Sequence, residues 1–174
     1  MNPPAFSQDE IDALGARAEA MVNALGTISA EPDRLVRLFL SPEHRRAADL
    51  VAHWMREAGL AVSEDALGTV RGSVGQGKRL LIGSHIDTVI DAGKYDGPFG
   101  VIAGILAAGH FARAGLQLPF RIDVLAFGDE EGSRFAATLA SSSARRTSSR
   151  TVTSACSSSR CRRNGGRPIA SGGS

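Results

Sequence analysis

The chain has 174 residues, of which 43% are hydrophobic and 22% are charged, so it is long enough for one domain with a buried core. Its net charge of +2 combines an acidic part, residues 1–140, with a basic part, residues 141–174, that holds seven Arg and no acid. No stretch approaches the roughly 18 apolar residues of a membrane-spanning helix, and the first residues lack a signal-peptide pattern, so we expect a cytoplasmic protein without membrane partners.

Two helices are predicted in the first third of the chain. Ser7 and Glu10 form a capping-box pattern, and the helix that follows extends to about Gly26 with apolar residues at helical spacing. Ser41 is predicted to cap a second helix, which ends at Gly59.

Strands and one further helix are predicted next. Residues 60–74 alternate around turn glycines and favour two strands, while the apolar run 80–83 favours a buried strand of a parallel sheet. Residues 98–114 predict a helix that is apolar nearly all round and buried on both sides, and residues 120–127 predict another strand. This order indicates an α/β domain with a mostly parallel sheet and crossover helices.

Imidazole and carboxylate groups follow the first of these apolar strands. His85 and Asp87 stand two residues apart on an extended segment, so their side chains share one face. If His85 binds a metal ion, Asp87 can accept its second N–H and fix the ring; the alternative is a structural pair at a strand end. Asp96 lies between two glycines ahead of the helix and can bridge two cations, or act as a turn or cap residue.

Two adjacent glutamates, Glu130 and Glu131, follow the strand that ends at Phe127. Burying both carboxylates is costly unless cations or protons offset their repulsion. One can bind a metal ion while the other takes a proton from water; the alternative is an exposed acidic loop. Because sites in such sheets form beyond the carboxyl ends of the strands, the sequence predicts a hydrolytic metal site there.

Three motifs resemble the M20 metallohydrolases, and among them the amidases that cut linear amides. The motifs are His85-Ile86-Asp87-Thr88, Tyr95-Asp96-Gly97 and Asp129-Glu130-Glu131-Gly132-Ser133-Arg134-Phe135. The resemblance covers residues 8–143 and implies a phosphorylase/hydrolase-like fold. It also implies hydrolysis of a small ureido or carbamoyl substrate, with allantoate favoured over the substrates of N-carbamoyl-L-amino-acid hydrolase and beta-ureidopropionase.

The same resemblance implies a role for each polar side chain of the site. His85 would bind one metal ion, Asp96 would bridge two ions, and Glu131 would bind the second ion. Glu130 would act as general base and later as general acid, and Asp87 would orient His85. The cofactors are then two divalent ions, zinc or manganese, although cobalt and nickel also accept imidazole and carboxylate ligands.

Members of this family run to about four hundred residues, and each metal ion receives one further histidine from later in their sequences. A separate lid domain forms their homodimer and holds the substrate. We therefore expect residues 1–140 to be the N-terminal part of an incomplete catalytic domain, with weak metal binding and little or no turnover. His44 and His53 are expected to be solvated or hydrogen-bonded, and His110 is expected to pack in the core, rather than to act as ligands.

Residues 141–174 hold 11 Ser and 7 Arg without Leu, Phe, Asp or Glu, so they cannot build a core. We interpret this segment as a disordered tail and as a possible frameshift product. The acidic body and the lack of interleaved aromatics in the tail count against a nucleic-acid partner. A non-catalytic fragment that serves as an interaction surface is the alternative of a different class.

Overall fold

The computed structural model describes residues 6–115 and 117–135. The boundary expected at residue 140 and the Ser/Arg-rich segment therefore lie outside the described residues. The elements in chain order are α1 Gln8–Gly26, α2 Pro42–Glu57, β1 Ala61–Glu64, β2 Val70–Val74, β3 Lys78–His85, α3 Pro98–Arg113 and β4 Phe120–Phe127. In the part of the chain described, no helix is both long and apolar enough to cross a bilayer.

The first two helices begin at the caps that the sequence predicts. The Ser7 hydroxyl accepts the Glu10 N–H, and the Glu10 carboxylate accepts the Ser7 N–H, so the capping box of α1 is closed. At α2 the Ser41 hydroxyl accepts the N–H of His44, and Pro42 occupies the first turn, where no N–H is needed. Both caps satisfy backbone donors that a bare helix end would leave unpaired.

The four strands form one sheet in the order β1-β2-β4-β3. The α/β class is confirmed, with β3 and β4 parallel and joined through α3. The sheet is nevertheless mixed rather than mostly parallel, because β1 pairs with β2, and β2 with β4, in antiparallel directions. A short turn connects β1 to β2 and is closed by the Asp65 carboxylate, which accepts the N–H groups of Leu67 and Thr69. Such a turn permits only an antiparallel pair.

Two predictions about burial are wrong. β3 lies at the edge of the sheet, where Leu80 is 47% and Leu81 57% exposed, instead of in the interior. α3 is buried mainly where it contacts α1, β3 and β4, while Phe99, Ala103 and Ala107 form an exposed stripe. Both errors have one cause: the apolar patterns match a strand and a helix with neighbours on every side, and the described residues supply neighbours on some sides only.

The core joins the apolar sides of the three helices to β2 and β4. Gly104 allows α3 to approach the sheet closely, since a Cβ at this position would lie 3.0 Å from side-chain atoms of Ile82 and Val124. This close approach fixes α3 above the parallel pair β3 and β4. The first turn of α3 is thereby held near the carboxyl ends of both strands.

His44 on α2 is buried, in contrast to the expectation of a solvated or hydrogen-bonded side chain. It is 3% exposed, and its Nε2 has no hydrogen-bond partner. The ring meets the edge of Phe39 at 5.5 Å between centroids and lies against the backbone of Gly128, where a Cβ would approach Nε2 to 2.5 Å. Burial lowers the pKa of His44 to about 4.

Protonation of His44 is therefore expected to destabilise the fold in acid. The unfolded chain takes up this proton below the ordinary imidazole pKa of about 6.5, whereas the folded chain does so only near pH 4. Stability should fall across this window by about 3 kcal/mol from this group alone. Urea unfolding at pH 7 and pH 4.5 should show a smaller loss for His44→Leu than for the native chain. Equal losses would contradict the assignment.

Candidate metal centre

The parallel pair brings distant segments together at one end of the sheet. His85 is the last residue of β3 and pairs with Phe127, the last residue of β4. The Ile86 N–H donates to the Phe127 carbonyl at 2.8 Å, which extends the pairing one residue beyond β3. The loop after β4 therefore lies beside His85, and the segment before α3 reaches the same end. This arrangement follows the general placement of sites in open α/β sheets.

The side chains expected to form the site meet around the outer nitrogen of His85. Its Nε2 lies 3.8 Å from Oε2 of Glu130 and 3.9 Å from Oδ1 of Asp96. Ligand atoms of His85, Glu130 and Glu131 all lie within 4.8 Å of one another. His85 is buried, Glu131 is half-buried, and Asp96 and Glu130 are exposed, so the cluster opens to solvent on its acidic side.

Asp87 is 2% exposed and lies on the buried side of this cluster. Its carboxylate accepts the backbone N–H of Glu130 and that of Glu131, each at 3.1 Å. The ring nitrogen Nδ1 of His85 lies 3.1 Å from the Asp87 carbonyl and 3.5 Å from the Asp87 carboxylate. The expected contact between the ring and Asp87 is thus present, but the shorter distance is to the carbonyl.

This contact decides which nitrogen of His85 can bind a cation. A carbonyl oxygen only accepts hydrogen bonds, so Nδ1 carries the proton that it donates to Asp87. In the neutral ring Nε2 then presents a lone pair toward the carboxylates of Asp96 and Glu130. A lone pair beside carboxylates is unfavourable unless a proton or a metal ion lies between them.

The pKa shifts at this site show the same excess of negative charge. Burial lowers the pKa of His85, but its contacts with Asp87 and the charge of Glu130 outweigh burial, so the pKa is raised. Burial raises the pKa of Glu131, and repulsion from Asp96, Glu130 and Asp87 adds to the rise although His85 opposes it. Burial also acts to raise the pKa of Asp87, yet the hydrogen bonds to its carboxylate lower it overall.

Arg37 was not singled out by the sequence analysis, yet it supports the segment that carries His85. Its side chain is fully buried and donates to three carbonyl oxygens, those of Leu25, Ile28 and Ile86. Its backbone N–H donates to the Thr88 hydroxyl, and its carbonyl accepts the Thr88 N–H. Burial lowers its pKa to about 10. The available signal was a lone cation inside the apolar run 35–40.

Gly97 leaves space for the imidazole ring. Its backbone has φ 82° and ψ −62°, a conformation that L side chains rarely adopt. A Cβ there would lie 2.5 to 2.7 Å from three atoms of the His85 ring. Nε2 of His85 is a free acceptor, three carboxylates lie near it, and Gly97 has no side chain to fill the space beside the ring. These features together fit a divalent cation.

Gly97→Ala should therefore damage the fold at the site. The strained backbone and the collision with His85 should lower the free energy of unfolding by about 2 kcal/mol or more. Gly93→Ala is the matched control, since a Cβ there meets nothing within 4 Å and its φ is not positive. Urea unfolding should place Gly93→Ala within about 0.5 kcal/mol of the native chain. Equal effects of the two substitutions would show that Gly97 is not a packing constraint.

Curated relatives of this chain share long stretches of its sequence. Allantoate deiminase from Arabidopsis thaliana is 44% identical over 137 residues, which is 75% of this chain and 26% of the relative. N-carbamoyl-L-amino acid amidohydrolase from Geobacillus stearothermophilus is 41% identical over 126 residues, which is 70% of this chain and 31% of the relative. The chain thus spans about a quarter to a third of the length of these relatives.

A solved structure extends the likeness to the fold. A hydantoinase/carbamoylase family amidase from Burkholderia ambifaria matches with a TM-score of 0.67 and 35% identity, over 72% of this chain and 32% of that one. No family model matches the sequence. Over the residues that these matches cover, the chain is related in sequence and in fold to the hydantoinase/carbamoylase family of amidases.

Proposed function

We propose that this chain carries part of the active site of a metal-dependent amidohydrolase. The reaction is hydrolysis of a linear C–N bond in a small ureido or carbamoyl substrate, with allantoate favoured. The observation that carries the proposal is the meeting of one buried imidazole with the carboxylates of Asp96, Glu130 and Glu131 at the strand ends. The likeness to an allantoate deiminase supports this substrate, and N-carbamoyl-L-amino acids and beta-ureidopropionate are the alternatives.

His85, Asp96 and Glu131 would hold a pair of divalent cations, and their imidazole and carboxylate groups supply the ligand atoms. Zinc and manganese both accept imidazole and carboxylate ligands. When bound, such cations lower the pKa of water and offset the negative charge that develops on the substrate oxygen. Burial raises the pKa of Glu131 and repulsion from neighbouring carboxylates adds to the rise; positive charge at this position would relieve that repulsion.

Glu130 is the general base in this proposal. Its side chain is 48% exposed, so water and substrate can both reach it. Its Oε2 lies 3.8 Å from Nε2 of His85. It takes a proton from the attacking water and returns that proton to the leaving nitrogen. Asp87 acts as a positioning residue, because the N–H groups that it accepts fix the backbone of both glutamates.

A second candidate is a non-catalytic module that binds another protein strand. The exposed apolar edge of β3 favours it. The two candidates differ in whether the carboxylate cluster turns over a substrate when metal is supplied.

Metal titration tests the ligand set. Among the described residues His85 is the sole imidazole at the cluster, so we expect manganese or zinc to bind in the micromolar range or more weakly. His85→Ala should weaken binding at least about tenfold. His53→Ala is the matched control, because His53 is 62% exposed on α2 and pairs with Glu57. Calorimetry that finds two submicromolar sites, or no effect of His85→Ala, would contradict the ligand set.

Ammonia release tests the reaction. With millimolar manganese to offset weak binding, allantoate should release ammonia, and Glu130→Gln should lower kcat about 100-fold or more while metal affinity changes little. Glu57→Gln, on the exposed side of α2, should leave the rate unchanged. Absence of ammonia from allantoate and from both alternative substrates at saturating metal would reject catalysis by this chain and favour the binding module.

A further inference from the structure

The loop after β4, residues 128–135, is joined to the segment before α2 as well as to Asp87. Arg134 lies near the end of this loop, and its Nη1 donates to the carbonyl oxygen of Phe39 at 2.8 Å. The two residues are 95 positions apart in the sequence. A hydrogen bond from a guanidinium is stronger than one between neutral groups. The contact therefore ties the far end of the loop to a distant part of the fold.

The side chain of Phe39 contacts the same loop near both of its ends. Phe39 is 6% exposed, and a Cβ at Gly128 would lie 3.1 Å from its ring, so the ring packs directly against the backbone where the loop begins. The rings of Phe39 and Phe135 meet edge to face at 6.1 Å between centroids, where the loop ends. One buried aromatic residue thus contacts both ends of the loop, while Asp87 holds the two glutamates between them.

The backbone that presents the Phe39 carbonyl is strained. Leu40 has φ 56°, in the left-handed region that a leucine side chain disfavours. The Phe39 carbonyl and the Leu40 nitrogen belong to one peptide group, so this φ and the direction of the carbonyl are set together. Strain of this kind persists where the surrounding contacts determine the backbone. The hydrogen bond from Arg134 is such a contact, and the turn closed by Ser41 N–H and the Leu38 carbonyl is another.

We propose that Arg134 is a positioning residue for Glu130 and Glu131. The proposal rests on the proposed function, in which these side chains are the general base and a metal ligand. Asp87 fixes their amide groups on one side, and Gly132, with φ 63°, turns the chain directly after them. Because Arg134 fixes the chain beyond this turn, the glutamates have a fixed contact on each side. A segment held on both sides opens less readily than a segment held on one.

The guanidinium of Arg134 is itself held in place. Its central carbon lies 5.5 Å from the centroid of the Phe135 ring, at the distance of a cation–π contact. The side chain therefore has one partner for its charge and one for its N–H. A methionine at this position would keep an unbranched apolar side chain and lose every donor, whereas a lysine would keep both the charge and a donor.

Amide hydrogen exchange tests the positioning. In Arg134→Met the N–H groups of Glu130 and Glu131 should exchange about tenfold faster than in the native chain, because the hydrogen bond from a charged donor is lost. Arg134→Lys should exchange at close to the native rate. The N–H of Ile86, which donates to the Phe127 carbonyl in the sheet, should exchange at the native rate in both variants.

Arg46→Met is the matched control, since Arg46 is 61% exposed on α2 and pairs with Glu43. It should leave exchange at both glutamates unchanged. Native exchange rates in Arg134→Met, or a lysine variant that exchanges as fast as the methionine variant, would overturn the proposal. Acceleration at Ile86 as large as that at the glutamates would also overturn it, because such a result reports loosening of the whole fold.

Manganese affinity separates this proposal from the function on which it rests. Calorimetry should give a dissociation constant at least about threefold higher for Arg134→Met than for the native chain, and a native value for Arg134→Lys. Faster exchange at the glutamates with unchanged affinity would overturn the link between Arg134 and the metal centre. A native chain that binds no manganese would reject the proposed function, while the exchange rates would still decide whether Arg134 positions the loop.

Discussion

The buried carboxylate of Asp87 is the contact on which the site depends. It lies two residues beyond β3, yet it accepts the N–H groups of Glu130 and Glu131, which follow β4. Without it these amides would lose their acceptor, at a cost of about 1–3 kcal/mol for each group left buried and unpaired. The carboxylate also explains how two glutamates that repel each other are held side by side. The Asp87 carboxylate fixes the backbone of both glutamates, while their side chains extend toward His85 and the solvent.

The buried guanidinium of Arg37 supports the segment that carries Asp87. Arg37 joins the end of α1 to the segment between β3 and the site through three carbonyl acceptors and a reciprocal backbone contact with Thr88. Its charge and that of Asp87 attract each other, which partly opposes the lowering of the Arg37 pKa by burial. A buried charge of each sign is more favourable than either alone. Helix packing and site geometry are therefore coupled through one arginine.

What could be predicted from the sequence was local. The caps at Ser7 and Ser41, the strand ends and the convergence of His85 with Glu130 follow from short-range patterns and from the general geometry of strand–helix–strand units. The burial of His44 and the acceptors of Arg37 could not be predicted in this way. His44 has no local signal for burial, since it is covered by Phe39 and Gly128. For Arg37 the apolar run 35–40 is a local signal, but the sequence does not show its acceptors, which are carbonyls at the end of α1 and after β3. These contacts join residues far apart in the sequence, so they emerge only from the assembled fold.

The position of β3 at the edge of the described sheet also could not be predicted from its local sequence. Its apolar run matches a strand with neighbours on both sides, and the described fold provides a neighbour on one side only. The outward groups at residues 81, 83 and 85 lead along the strand directly to the imidazole of His85, so the edge and the cluster share one backbone. A strand with hydrogen bonds on one side opens locally more readily than a strand with bonds on both. Pairing along this edge would therefore also restrict the motion of His85.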